Sequence, residues 1–170
     1  MKILIFTEGT ILTHASHIRL RREAVVELVK NQTSRLDSQY FANSMPIGNS
    51  VQKIGRWKKQ GATIAYLTSR STIEEVEIIR GVLSKFSFPE GELFFRKTGE
   101  EYKDVAERVL PDIIVEDDCE SVGGESEMTY PNIKQELKAR IKSVVVKEFG
   151  GIDHLPDRLS ELKSVGVEAT

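Results

Sequence analysis

Short aliphatic and β-branched runs alternate along this chain with longer amphipathic stretches, and no other feature of the sequence limits the fold as much. Lys2–Phe6 (KILIF), Thr63–Leu67 (TIAYL), Leu93–Phe95, Asp112–Val115 (DIIV) and Ser143–Val146 read as strands. Between them, Ile18–Lys30, Ile73–Phe86, Glu100–Leu110 and Asn132–Ile141 carry apolar residues at helical spacing. A further helix starts at Ser50, presents Val51, Ile54 and Trp57 on one face and stops at Gly61; His154–Leu162 is a last short one. Residues 31–49 are polar and broken by Pro46, Gly48 and Asn49, which suits a loop or a small irregular insertion. Strands separated by helices build βαβ units, hence a parallel sheet covered on both faces. The density of Ile, Val and Leu in the short strands is what burial on both sides demands.

The 170 residues suffice for one domain with a single core. With 24 Lys+Arg against 26 Asp+Glu the net charge is −2, so the basic footprint of a nucleic-acid binder is missing and no nucleic-acid partner is expected. The apolar runs are too short to cross a bilayer, so no membrane partner is expected either. Met1-Lys2 leads straight into a strand-like run without a leader pattern, which makes the cytoplasm the expected compartment. A single cysteine, Cys119, leaves no internal disulfide to form.

In a parallel sheet of this kind ligands sit beyond the carboxyl ends of the strands. Those ends read Thr7-Glu8-Gly9-Thr10, Thr68-Ser69-Arg70-Ser71 and Glu116-Asp117-Asp118-Cys119, with Lys97 and Lys103 ahead of the last strand. Adjacent carboxylates are hard oxygen ligands suited to Mg²⁺. A hydroxyl with free backbone N–H groups at a strand-to-helix turn suits a phosphate oxygen, and a lysine adds a compact positive charge. Each has a plainer alternative: a solvated turn for the aspartates, a helix cap for Thr68-Ser69, and a surface helix position for Lys103.

Taken in order, ILIFTEGT, IAYLTSR, EEYKDVAE and DIIVEDD resemble the four motifs of the haloacid dehalogenase superfamily, mostly phosphatases and phosphotransferases. The resemblance runs from Lys2 to about Leu162 and includes the tail FGGIDHLPDRL. It implies a three-layer Rossmann-like core, with residues 13–49 as a flap or small cap. By residue matching it implies Thr68 and Ser69 on phosphate, Lys103 (with Lys97 as runner-up) as the motif lysine, Asp117 and Asp118 as metal ligands, and Mg²⁺ as the ion. One departure governs function. Aligning Gly9-Thr10 with the family's Gly-Thr puts Glu8 at the general acid-base aspartate and Phe6 at the nucleophilic one. A one-residue shift puts Thr7 there instead, a hydroxyl without an evident base.

Three expectations follow. The chain binds a small phosphorylated molecule or phosphorylated macromolecule, with or without Mg²⁺, and has lost the covalent route. Alternatively it is a working Mg²⁺-dependent phosphohydrolase in which Glu8 or Thr7 takes part with a positioned water. The third is an α/β interaction domain with no ligand site. The segment HASHIRLRRE reads first as a solvated helix face, and second as a basic flap in which His14 and His17 meet an anionic substrate.

Overall fold

The computed structural model describes residues 1–34 and 36–165. Its strands are β1 (Lys2–Phe6), β2 (Leu12–His14), β3 (Ser44–Pro46), β4 (Thr63–Leu67), β5 (Glu92–Phe94), β6 (Ile113–Asp117) and β7 (Lys142–Val146). Its helices are α1 (Arg22–Lys30), α2 (Ser38–Ala42), α3 (Ser50–Lys59), α4 (Ile73–Lys85), α5 (Tyr102–Val109), α6 (Gln135–Lys138) and α7 (Leu159–Leu162). Five strands form one parallel sheet in the order β5-β4-β1-β6-β7. The chain builds outward from β1 through β4 to β5, then returns to the other side of β1 for β6 and β7. That reversal leaves a crevice beyond the carboxyl ends of the central strands, the usual place for a ligand in an open α/β sheet.

Burial on both faces follows from the pleat. Ile3 and Ile5 of β1 join the cluster containing Trp57 of α3 and Ile79 of α4. Leu4, between them, joins Val105 and Ala106 of α5 with Ile114 of β6. Successive side chains leave a strand on opposite faces, so an unbroken apolar run is needed to feed two layers. Trp57 is fully buried, and its indole N–H donates to the Pro156 carbonyl at 2.9 Å. Buried Lys53, one turn earlier on α3, donates to the Leu155 carbonyl and to Asp157, both at 2.6 Å. These bonds hold the C-terminal segment against α3.

The strands stand within two residues of their expected bounds; the helices differ more. The segment expected as helix Ile18–Lys30 is helical only from Arg22; α1 buries Val25 and Val26 and leaves Leu28 exposed, and Ile18 ahead of it is exposed as well. Ile73, expected inward, is 75% exposed because it is the first residue after the Thr72 cap. Within 132–141 only Gln135–Lys138 is helical. Pro131 sits in a tight 3-10 turn and Ile133 after it is extended, which delays the helix. Residues 31–49 are more ordered than a loop: α2 packs on α4, and β3 pairs antiparallel with β2. Together with α1 they make a flap over the sheet edge. β6 runs on through Glu116 and Asp117, paired with Val145 and Val146, so the carboxylates lie within the strand rather than after it.

Trp57→Ala removes the largest fully buried side chain together with a bond to the C-terminal segment. The substitution should lower unfolding free energy by about 3–5 kcal/mol, read as a fall in the urea midpoint.

Candidate functional site

β1 lies between β4 and β6, so residues 7–10 leave the sheet between Thr68-Ser69-Arg70 and Glu116-Asp117. The turn closes on itself: the Ile11 and Leu12 amides donate to the Thr7 carbonyl, and the Gly9 amide donates to Leu12. Gly9 has φ of +82°, and a Cβ there would stand 2.9 Å from Asp117 Oδ2. Only glycine takes that conformation without strain while letting the carboxylate so close. The Thr10 hydroxyl donates to Asp117 Oδ2 at 2.7 Å, tying the turn to β6.

Glu8 is the hub of the opposite side. Its carboxylate accepts from the Thr68 hydroxyl at 2.6 Å, the Thr7 hydroxyl at 2.6 Å and the Ser69 backbone N–H at 3.0 Å. Arg70 Nε lies 3.9 Å away. The hydroxyl and N–H that sequence matching offers to a phosphate are therefore held by an internal carboxylate. Thr68 is not the cap of the next helix; Thr72 is. Contrary to expectation, Thr7 does have a base beside it, Glu8. Yet Thr7 is fully buried, with its hydroxyl also within 3.3 Å of the Leu67 carbonyl.

The expected metal and lysine positions separate. Asp117 is buried and engaged by Thr10 and by the Cys119 amide at 3.0 Å. Burial, with Glu148 nearby, pushes its pKa up to about 7 against the pull of the Thr10 bond. Asp118 faces Lys147 at 3.2 Å and accepts from the Glu148 amide. Glu116, not expected in the site, is buried and accepts from the Thr129 and Tyr130 amides at 2.7 and 2.9 Å; burial raises its pKa. Glu148, likewise unexpected, accepts from the Ser121 amide and hydroxyl. Among the described residues no group of three or more His, Cys, Asp or Glu side chains could hold a metal ion. Asp117, Asp118 and Glu148 each accept hydrogen bonds from internal donors, and the side chain that lines this edge from the end of β1 is Phe6, which offers no metal ligand. Lys103 pairs with Glu101 at 2.6 Å and does not line the site, because Tyr102, one position earlier on α5, takes the inward direction. Burial and the neighbouring carboxylates push the Cys119 thiol up, so it is no nucleophile.

A cavity of about 660 Å³ opens above these strand ends, between the sheet edge and the flap. That is the size of a small-molecule site. Phe6 lines its floor, its ring edge-on to Tyr102 at 5.3 Å between centroids. Two guanidinium groups line the walls, each over an aromatic ring at 4.0 Å: Arg96 over Tyr102 and Arg70 over Phe41. Arg70 also donates to the Ser69 hydroxyl. Arg96 has no carboxylate within ion-pair range among the described residues, and its Nε is buried without a hydrogen-bond partner. Thr13 Oγ1 and His17 Nδ1, on the flap side, are also buried and unpartnered. A buried polar atom left unpaired costs about 1–3 kcal/mol.

Of that segment, His14 and His17 line the cavity, while Arg19, Leu20 and Arg21 are exposed. Burial lowers the pKa of both imidazoles below the ordinary value, His17 further through His14. Arg22 pairs with Glu120 at 2.7 Å. Sequence reasoning missed Arg96. A lone arginine after a weak strand carries no motif, and its significance comes from what surrounds it.

No family model matches this chain, and no curated protein matches it. Solved structures do. A class C acid phosphatase from Bacillus anthracis with tungstate bound superposes with a TM-score of 0.60 at 14% identity, over 88% of this chain and 68% of that one. A chain of the Pnkp1/Rnl/Hen1 complex gives 0.56 at 12% identity, over 86% of this chain and 46% of that one. This protein thus spans less than half the length of the latter. The fold they share with it is the α/β Rossmann-like sheet covered on both faces that the resemblance to the haloacid dehalogenase superfamily implies. No helix among the described residues is long and apolar enough to cross a membrane.

Asp117 generates a pH prediction. Its folded pKa, about 7, exceeds its ordinary 3.8, so the folded state holds the proton more tightly than the unfolded one. Stability present below about pH 4 is then lost as pH rises through about 7. The slope from this one group is at most about 1.4 kcal/mol per pH unit. Asp117→Asn should flatten the fall in urea midpoint across that window; a slope equal to wild type would contradict it.

Proposed function

We propose that this protein binds a phosphate monoester in the cavity at the carboxyl edge of its sheet and does not hydrolyse it. The observation that carries the reading is Arg96. Its guanidinium lies on Tyr102, lines a ligand-sized cavity, and has a buried Nε with no acceptor. Guanidinium groups present a planar fork that matches phosphate oxygens, and stacking on an aromatic ring leaves the N–H edge free to use it. Arg70, partly neutralised by Glu8, adds a second positive charge on the same cavity.

Three features argue against turnover. Phe6 stands where the resemblance puts the attacking carboxylate, and a phenyl ring can neither attack phosphorus nor bind a metal ion. Glu8 sits on the hydroxyl and amide at the end of β4, so an anion meets the arginines instead of Thr68 and Ser69. The carboxylates are spread among internal donors, so the reading requires no Mg²⁺. A hydrolytic reading draws on the 2.6 Å bond between Thr7 and Glu8, a hydroxyl beside a base. It ranks second because Thr7 is buried and does not line the cavity.

The experiment is a pair of measurements on the intact chain. Inorganic phosphate or tungstate at about 100 times its dissociation constant should stabilise the protein by roughly 2.7 kcal/mol, and Arg96→Met should abolish that gain. p-Nitrophenyl phosphate with Mg²⁺ should show no turnover. No stabilisation of the wild-type chain by either anion would overturn the reading in favour of an interaction domain. Turnover that disappears in Asp117→Ala would overturn it in favour of a hydrolase.

A further inference from the structure

The cavity is much larger than an oxyanion, which occupies little more than a few waters at about 30 Å³ each, so most of the roughly 660 Å³ remains for the rest of a ligand. What lines that remainder differs from the arginine wall. Thr13 on β2 and His17 in the turn after it each bring a buried polar atom without a partner, Oγ1 and Nδ1. Beside them His14 lies flat on Tyr40, 4.1 Å between centroids and 10° between planes. Leu12 and Leu36 supply apolar surface on the same side.

Resting on the phosphate-binding reading above, we infer that the flap is a recognition site for a planar aromatic ring bearing one or two hydrogen-bonding atoms, so that the ligand is an aryl-type phosphate monoester. Aromatic plates and aliphatic side chains favour a flat apolar body. Two orphan polar atoms match a ring with a single hydroxyl or ring heteroatom. A threonine hydroxyl donates or accepts, and the imidazole does either by tautomer. A sugar or polyol suits this wall badly, because several hydroxyls would leave water with too few partners to replace it. The flap arrives from residues 12–46 and Arg96 from the end of β5, so the two halves of the ligand are held by separate elements.

Three probes test the assignment on the intact chain by calorimetry: inorganic phosphate, glycerol phosphate and 4-hydroxybenzylphosphonate, whose P–C bond resists hydrolysis. The phosphonate should bind roughly ten-fold or more tightly than glycerol phosphate, about 1.4 kcal/mol. Thr13→Val and His17→Phe, both close in shape to the native residues, should each reduce that ratio. The wild-type comparison needs no variant and stands even if one of them folds poorly. Glycerol phosphate binding as tightly as the phosphonate would overturn the aromatic assignment while leaving phosphate binding intact. Failure of all three probes to bind would overturn the phosphate-binding reading itself, and this inference with it.

Discussion

β1 is hydrogen-bonded on both sides, to β4 and to β6, and everything at the carboxyl edge depends on that central position. The register sets Phe6 beside Leu67, and the turn of residues 7–10 then fits between two strand ends. Thr10 reaches one way to Asp117, and Glu8 the other way to Thr68 and Ser69. A strand at the sheet's edge would reach only one neighbour. The central position lets one short turn tie three strands together.

Glu8 then acts as an internal anion. A carboxylate satisfied by two hydroxyls and an amide, with a guanidinium nearby, is a stable arrangement. It also occupies the Thr68 hydroxyl and the Ser69 amide at the end of β4. Arg70 and Arg96, which line the cavity, rest instead on the rings of Phe41 and Tyr102. Phe6 belongs to the same arrangement: its ring packs against Tyr102, and Tyr102 in turn carries Arg96. One aromatic residue at the end of β1 thus supports the platform for a cation.

Much of the sheet is legible in the sequence because its central strands, β1, β4 and β6, are buried on both faces, and that burial writes itself as apolar runs. The helices are less so. Ile18, Leu28 and Ile73 sit at helical spacing, yet they face solvent, because periodicity records which residues share a face and not whether anything covers it. The flap was hidden for a related reason. β2 and β3 pair across some thirty residues, and neither three-residue strand has a pattern of its own.

The sequence by itself determined the α/β class and the three strand-end segments, with Phe6 closing the first strand, since all of these are local matters of residue type and spacing. Only the tertiary structure decided which groups meet. It turned Lys103 to Glu101 and Asp118 to Lys147, gave Thr68 to Glu8, and brought Arg96, Thr13 and His17 to one cavity. The physical reason is that a side chain's partners are set by the direction it leaves the backbone and by what packs around it, and both depend on contacts between segments far apart in the chain.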